Sequence, residues 1–143
     1  MTRVDFYISA DKQAQARELL ACRVIDKAHQ QQSPIYIHTD SSEQMNKFDK
    51  LLWTFREQSF IPHSCVSTEQ SQYCNIIVGH EEPPENQNQV LVNLANDVPM
   101  FFSRFDRVIE IVHEDDAAKQ YGRERYKFYK DRGYALSTHN INN

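Results

Sequence analysis

Apolar and polar positions in the first forty residues follow two different periods. Residues 4–9 (VDFYIS) are rich in β-branched and aromatic side chains, which predicts a strand. From Asp11, a candidate N-cap, to about Gln31, the apolar positions recur with helical spacing. The buried face of this helix is predicted to contain Ala21, Val24, Ile25 and Ala28. A Ser-Pro pair at 33–34 ends the helix, and residues 35–39 (IYIHT) predict a second strand, so the chain opens as a β-α-β unit.

The next segment carries the signals of a second helix. Two overlapping capping-box patterns precede it, formed by Asp40 with Glu43 and by Ser41 with Gln44. The apolar positions that follow on one helical face are Met45, Phe48, Leu52 and Phe55. Residues 59–63 (SFIPH) then predict an apolar turn containing a proline, and residues 75–79 (NIIVG) predict a central strand.

The second half of the chain continues the alternation of strands and helices. Residues 81–89 are polar and contain a proline pair, which predicts a loop. Residues 90–94 (VLVNL) and 107–112 (RVIEIV) predict strands, with a short helical or turn segment at 99–105 between them. A last helix begins near Glu114. This order predicts an α/β fold of three layers with a mostly parallel sheet.

Length and composition indicate a single domain over residues 1–143. A hydrophobic content of 40% and a charged content of 25% are ordinary for a globular protein. Cys22, Cys65 and Cys74 are irregularly spaced, which predicts free thiols in a reducing compartment. No apolar run approaches the roughly 18 residues that span a bilayer, and the first residues lack a signal-peptide pattern. We therefore expect a cytoplasmic protein without a membrane partner.

The sequence lacks the motifs of nucleotide, metal and catalytic sites. Three isolated glycines, Gly79, Gly122 and Gly133, cannot form a phosphate-binding loop. The histidines and cysteines at residues 63–80 lack the close pairs of a structural zinc site. No strand-turn-helix nucleophile motif is present. We therefore expect no cofactor, no metal ion and no catalytic residue.

Basic residues are concentrated at positions 119–132. This segment holds six Lys or Arg against two acidic residues, a local charge of +4, although the whole chain carries −4. One helical stripe is formed by Lys119, Arg123, Tyr126 and Lys130. The apolar side expected to pack contains Ala117, Tyr121 and Phe128, with Ala118, Gly122 and Tyr129 beside them. An aromatic ring between cations suits an anionic ligand with an apolar part; the alternative is a solvated charged face.

A second candidate surface combines Trp53 with the apolar turn. On the helical wheel, Trp53 lies about 100° from the core face marked by Leu52. A tryptophan beside the apolar residues Phe60, Ile61 and Pro62 is typical of a protein-protein hot spot. Packing in the core is the alternative for Trp53.

Several separated segments together resemble the chi subunit of bacterial DNA polymerase III. They extend from about residue 4 to residue 138 and comprise Phe6-Tyr7, Leu52-Trp53, SFIPH at 59–63, RERYK at 123–127, Tyr129, Gly133-Tyr134 and Leu136. Residues 66–90 and the polar residues 138–143 depart from the family pattern.

The resemblance implies a non-catalytic accessory subunit of the clamp-loader assembly, with a nucleotide-binding-like fold that lacks a phosphate loop. Chi proteins pair with the psi subunit, which connects them to the clamp loader, and bind the acidic C-terminal tail of single-stranded-DNA-binding protein. By this resemblance, the tail would be bound by Lys119, Arg123, Tyr126, Lys127 and Lys130. The surface for psi, or for a helicase-like protein competing for it, would contain Trp53, Phe60, Ile61 and Pro62.

Two other classes of function remain open. One is a direct single-stranded nucleic-acid binder whose cationic and stacking platform would contain Arg123, Arg125, Tyr126 and Tyr129. The other is an α/β enzyme with an unrecognised site. A pI near 5.8 argues against a chain that contacts many phosphates, so the sequence predicts no direct contact with DNA.

Overall fold

The computed structural model describes residues 2–13, 15–30, 34–54, 64–65, 76–85 and 87–141. In chain order, the elements are β1 (Arg3–Ser9), α1 (Ala16–Gln30), β2 (Ile35–His38), α2 (Ser42–Thr54), β3 (Ser64–Cys65), β4 (Ile76–Gly79), β5 (Val90–Asn93), β6 (Arg107–Val112), α3 (Asp116–Asp131) and β7 (Ala135–Ile141). A short 3-10 turn, Phe102–Arg104, lies between β5 and β6.

These strands form one sheet, in which every described pair is parallel. Their order is β3-β4-β2-β5-β6-β1-β7. On one face, α1 and α2 contribute Leu20 and Phe48 to the larger apolar cluster. On the other face, the 3-10 turn and α3 contribute Phe102 and Tyr129 to a second cluster. Helical segments on both faces explain the apolar runs in the inner strands, and the predicted three-layer α/β fold is confirmed.

Local side-chain hydrogen bonds define the starts of α2 and α3. Ser41 Oγ accepts from the Gln44 N–H at 3.1 Å, and Gln44 Oε1 accepts from the Asp40 N–H at 2.6 Å. Ser41 therefore caps α2 as its predicted pattern requires, while Gln44 reaches one residue further back than in a capping box, to the Asp40 N–H. Asp115 caps α3, because its Oδ2 accepts from the Ala118 N–H at 2.9 Å.

The start of α1 differs from the prediction. The helix begins at Ala16, and Asp11 lies before it in a local turn. There its Oδ1 accepts from the Gln13 N–H at 2.9 Å. Asp11 therefore uses its carboxylate to close a short Asx turn and does not cap the helix. The predicted helix residue Phe55 and the predicted turn 59–63 lie outside the described residues.

Two strands were not predicted from the sequence. The first, β3, contains two residues and is too short to show a periodic pattern. The second, β7, has the sequence ALSTHNI and pairs in parallel with β1. It lies at one edge of the sheet, where most of its side chains are exposed. A strand that is solvated in this way lacks the apolar signal on which strand prediction depends.

Candidate functional site

Helix α3 packs on the sheet through a narrow inner face. Its buried residues are Gly122, Arg125 and Tyr129. Ala117 and Tyr121, which were expected to pack, are exposed, with Tyr121 40% exposed. The predicted packing side is therefore confirmed at Gly122 and Tyr129 and wrong at Ala117 and Tyr121, because buried polar partners hold Arg125 toward the sheet.

Those partners surround Glu110 on β6, which is 0% exposed. Arg125 donates from Nε to Glu110 Oε1 at 2.8 Å. The Tyr129 hydroxyl and the Asn93 amide both donate to Glu110 Oε2, at 2.6 and 3.0 Å. Burial, followed by the charge of Glu110, raises the pKa of Tyr129. The network satisfies a buried carboxylate with three donors and holds α3 at a defined position over β6.

Gly122 brings α3 close to the sheet. A Cβ at this position would lie 2.7 Å from Val112 Cγ2, which is closer than carbon atoms approach. Only a residue without a side chain fits at this helix-strand distance. Val112 stands at the end of β6, so the close approach occurs at the carboxyl end of the strands.

An apolar cleft of about 220 Å³ opens beside this contact. Phe6 and Ile8 of β1 line it from the sheet, and Thr138 of β7 lines it near the sheet edge. Tyr126 packs edge-on against Phe6, with ring centroids 5.3 Å apart. The remaining lining residues are Val112, Lys119, Gly122 and Arg123. The cleft thus combines an apolar interior with cationic groups from α3.

The predicted tail-binding residues occupy two positions relative to this cleft. Lys119, Arg123 and Tyr126 line it. Lys127 and Lys130 are exposed on α3 and are not among its lining residues. Of the five residues, the structure therefore places three together at the cleft and two outside it. Their role in binding stays a prediction.

Lys119 forms an ion pair in this structure. Its Nζ lies 2.7 Å from Glu114 Oε1, and this hydrogen bond holds the pKa of Glu114 below its usual value. Among the described ion pairs, none involves Arg123. Arg123 is exposed and borders the cleft, so its guanidinium is the cation with the most freedom to bind an anion there.

Sequence reasoning missed the part of the cleft that the sheet provides. Phe6, Ile8, Val112 and Thr138 come from three strands that are distant along the chain. Gly122 carried the one local signal, since a glycine inside a helix costs about 1 kcal/mol relative to alanine and usually has a packing reason.

The second predicted surface is described only in part. The backbone of Trp53 belongs to α2, but its side chain lies outside the described set. Phe60, Ile61 and Pro62 also lie outside the described residues. The predicted psi-binding role of these residues therefore stays a prediction.

The alternative nucleic-acid platform is wrong at two of its four residues. Arg125 is 3% exposed and is paired with Glu110, and Tyr129 is 0% exposed. A base stacks only on an accessible ring, and a phosphate binds only an accessible cation. Arg123 and Tyr126 remain on the surface.

Metal sites and membrane-spanning helices each need a recognisable arrangement of residues. Within the described ranges, no group of three or more His, Cys, Asp or Glu side chains is placed to hold a metal ion. Nor does any helix in these ranges have the length and apolar character needed to cross a bilayer.

The fold is shared with a protein of very different sequence. The crystal structure of T4 UvsW matches 99% of this chain with a TM-score of 0.68 and 9% sequence identity, over 42% of that protein. At this identity the likeness shows a common fold alone.

Sequence comparisons connect the chain to a family over nearly its whole length. It is 38% identical over 141 residues to the DNA polymerase III subunit chi of Pseudomonas aeruginosa, covering 99% of this chain and 98% of that protein. It is 31% identical over 138 residues to the protein of the same name from Haemophilus influenzae, covering 95% of both chains. The family model described as DNA polymerase III chi subunit, HolC, matches residues 1–137. The resemblance seen in the sequence is therefore confirmed, and this chain belongs to the DNA polymerase III chi subunit family.

Proposed function

We propose that this chain is a non-catalytic adaptor that binds the acidic C-terminal tail of single-stranded-DNA-binding protein and pairs with the psi subunit. It would thereby connect DNA polymerase III and its clamp loader to coated single-stranded DNA. The observation that carries the proposal is the apolar cleft between α3 and the sheet, bordered by Lys119, Arg123 and Tyr126.

The size and chemistry of the cleft suit the end of a peptide. A volume of about 220 Å³ is smaller than the roughly 300–1,000 Å³ of sites for drug-sized molecules. One aromatic side chain on the apolar floor formed by Phe6, Ile8 and Val112 is a better match. Arg123 and Lys119 at the rim would then bind the terminal carboxylate of the same residue.

Positive charge continues beyond the cleft along α3. Lys127 and Lys130 are exposed there, at i+4 and i+7 from Arg123. Acidic residues upstream of the bound terminus would meet these lysines. Because exposed charges are screened by salt, the contact should weaken as ionic strength rises.

The two proposed partners would use opposite parts of the sheet. The cleft lies over β1 and β7, at one edge. Helix α2, which contains Trp53, packs near β4 and β3 at the other edge and on the other face. A chain with this arrangement can bind psi and the tail at the same time. Simultaneous binding is what a tether needs, because it converts a weak peptide contact into one of high effective concentration.

The tail site is tested by titrating the purified protein against a fluorescent acidic peptide that ends in Pro-Phe with a free carboxylate. The peptide titration is run at two salt concentrations, and labelled oligo-dT is titrated in parallel to detect direct binding of single-stranded nucleic acid. Arg123→Ala should weaken peptide binding by roughly 1.5–3 kcal/mol, a factor of about 10 to 150. Arg23→Ala is the matched control, since it removes one exposed arginine from α1 on the opposite face.

Each outcome of this titration decides between functions. Peptide binding that falls with salt and with Arg123→Ala, but not with Arg23→Ala, supports the adaptor. Binding of oligo-dT alone would replace it with direct nucleic-acid binding. Equal peptide affinities for wild type and Arg123→Ala would show that the cleft is not the tail site.

The psi surface needs its own measurement. Trp53→Ala should weaken association with purified psi, measured by analytical ultracentrifugation, and leave peptide affinity unchanged. Truncation of an interface hot spot costs about 2 kcal/mol or more. A loss of peptide binding with psi association intact would exchange the two surfaces.

A further inference from the structure

Strand β7 presents a free edge immediately beside the cleft. It is the last strand in the order of the sheet and pairs only with β1 among the described strands. Its sequence ALSTHNI contains no Lys, Arg, Asp, Glu or Pro. Edge strands usually carry charges, prolines or bulges that prevent pairing with another chain. This edge has neither a permanently charged side chain nor a proline, and its titratable residue His139 lies 3.3 Å from Asp5 of β1. It can therefore accept an added strand.

The hydrogen bonds to β1 identify which backbone groups face outward. The Ala10 N–H donates to the Ile141 carbonyl at 3.2 Å, so the backbone of Ile141 faces β1. In an extended strand, the N–H and C=O of one residue point to the same side, and successive residues point to opposite sides. The outward-facing backbone groups are therefore those of Leu136, Thr138 and Asn140.

Thr138 connects this edge to the cleft. Its side chain lines the cleft, while its backbone N–H and C=O face the free edge. A peptide whose last residue occupies the cleft can thus continue along the edge without crossing any of the described helices or strands. The exposed lysines of α3 lie on the same side of the helix as the cleft. At about 100° per residue, Tyr126 is about 40° around the helix from Gly122, and Lys130 and Lys127 follow in the same direction at about 80° and 140°.

The charge along this path is complementary to an acidic chain. None of the described ion pairs involves Arg123, Lys127 or Lys130. The neighbouring strand β7 has no carboxylate that would repel acidic side chains. An extended acidic segment therefore gains both the backbone groups of the edge and the field of the helix.

We propose that the residues of the acidic tail before its terminal aromatic pair with the free edge of β7 as an added parallel strand. This inference rests on the proposed function, since it places the upstream part of the same peptide. The direction follows from α3, which starts near the carboxyl end of the strands and ends just before β7. With the carboxylate at Arg123, the upstream chain runs back toward Lys130 and so lies parallel to β7, like every other described strand pair.

A scan of backbone-methylated peptides tests the strand directly. The probe is a nine-residue acidic peptide ending in Pro-Phe with a free carboxylate, and each variant carries one N-methyl group upstream of the proline. In a strand, alternate N–H groups face the partner. Methylation of one alternate set should weaken binding about 2- to 10-fold, the equivalent of one lost hydrogen bond, and methylation of the other set should leave it unchanged.

Hydrogen exchange of the protein amides gives an independent readout. The full peptide should slow exchange at one or more of Leu136, Thr138 and Asn140. The dipeptide Pro-Phe, which reaches only the cleft, should leave exchange at Leu136 unchanged. The amides of Ser137 and His139 face β1 and serve as internal controls.

The outcomes separate this inference from the proposed function. A methylation profile without alternation, with exchange at the edge unchanged, would overturn the added strand while leaving the tail site intact. Absence of binding by the unmodified peptide would overturn both. Dimers of the protein that pair through β7 and persist at saturating peptide would assign the edge to a second copy of the chain and also overturn the inference.

Discussion

The contact between Gly122 and Val112 provides a sharp test of how α3 is positioned. In Gly122→Ala, the new Cβ would lie 2.7 Å from Val112 Cγ2 and 3.3 Å from Cγ1. Val112 is buried at the end of β6 and is β-branched, so its side chain has few alternative rotamers. The helix must therefore move away from the sheet, or Val112 must leave its preferred conformation.

Two opposing effects set the size of the change. Alanine in place of glycine inside a helix contributes about 1 kcal/mol through helix propensity. Overpacking by one carbon costs about 1–3 kcal/mol. The free energy of unfolding should therefore fall by about 0–2 kcal/mol instead of rising. Since Gly122 also lines the cleft, we expect the affinity for the acidic peptide to fall even where stability changes little.

The assay is a double-mutant cycle with Val112→Ala. Urea unfolding gives the stability of wild type, both single variants and the double variant, and peptide titration gives their affinities. Removing the valine methyl groups makes room for the new Cβ, so the pair should couple favourably by about 0.5–3 kcal/mol. Additive effects, with Gly122→Ala stabilising by the full propensity term, would refute the close approach of α3.

Two further predictions concern buried titratable groups. Glu110→Ala leaves Arg125 buried without a counter-charge and should lower the free energy of unfolding by about 3–5 kcal/mol. The double variant Glu110→Met with Arg125→Met should lower it less, because no unpaired charge stays buried. Urea unfolding measures both, and a double variant less stable than Glu110→Ala would contradict the argument. Burial lowers the pKa of His38 from its usual 6.5, so below that pH the unfolded chain binds more protons than the folded one. The free energy of unfolding should therefore fall as pH drops through about 6.5, by at most about 1.4 kcal/mol per pH unit for one group. His38→Phe should flatten this dependence in urea unfolding between pH 5 and 7.5, and an unchanged slope would assign it to other groups.

Local patterns were sufficient for the elements whose signals lie within a few residues. The inner strands are continuous apolar runs because both of their faces are covered, and β4 is buried at all four positions. The starts of α2 and α3 follow from capping side chains that bond three residues ahead. The concentration of lysine and arginine on α3 was likewise readable from the sequence alone.

The inner face of α3 shows where this reasoning failed. Periodicity assigns Tyr121 to the packing side and treats Arg125 as a surface cation. In the fold, Arg125 is buried because Glu110, on another element, offers it a hydrogen-bonded counter-charge. A buried ion pair requires both partners in place, and neither the helix nor the strand shows it separately.

The sequence by itself determined the family, the α/β class and the cationic stripe, because these depend on residue order and on local spacing. The tertiary structure alone decided that a cleft exists and which stripe residues reach it. Phe6 and Thr138 are paired positions of neighbouring strands although they lie at opposite ends of the chain. The free edge of β7 arises in the same way, since the neighbours of a strand depend on how distant segments pack. No local pattern encodes that adjacency, and the proposed peptide site depends on it.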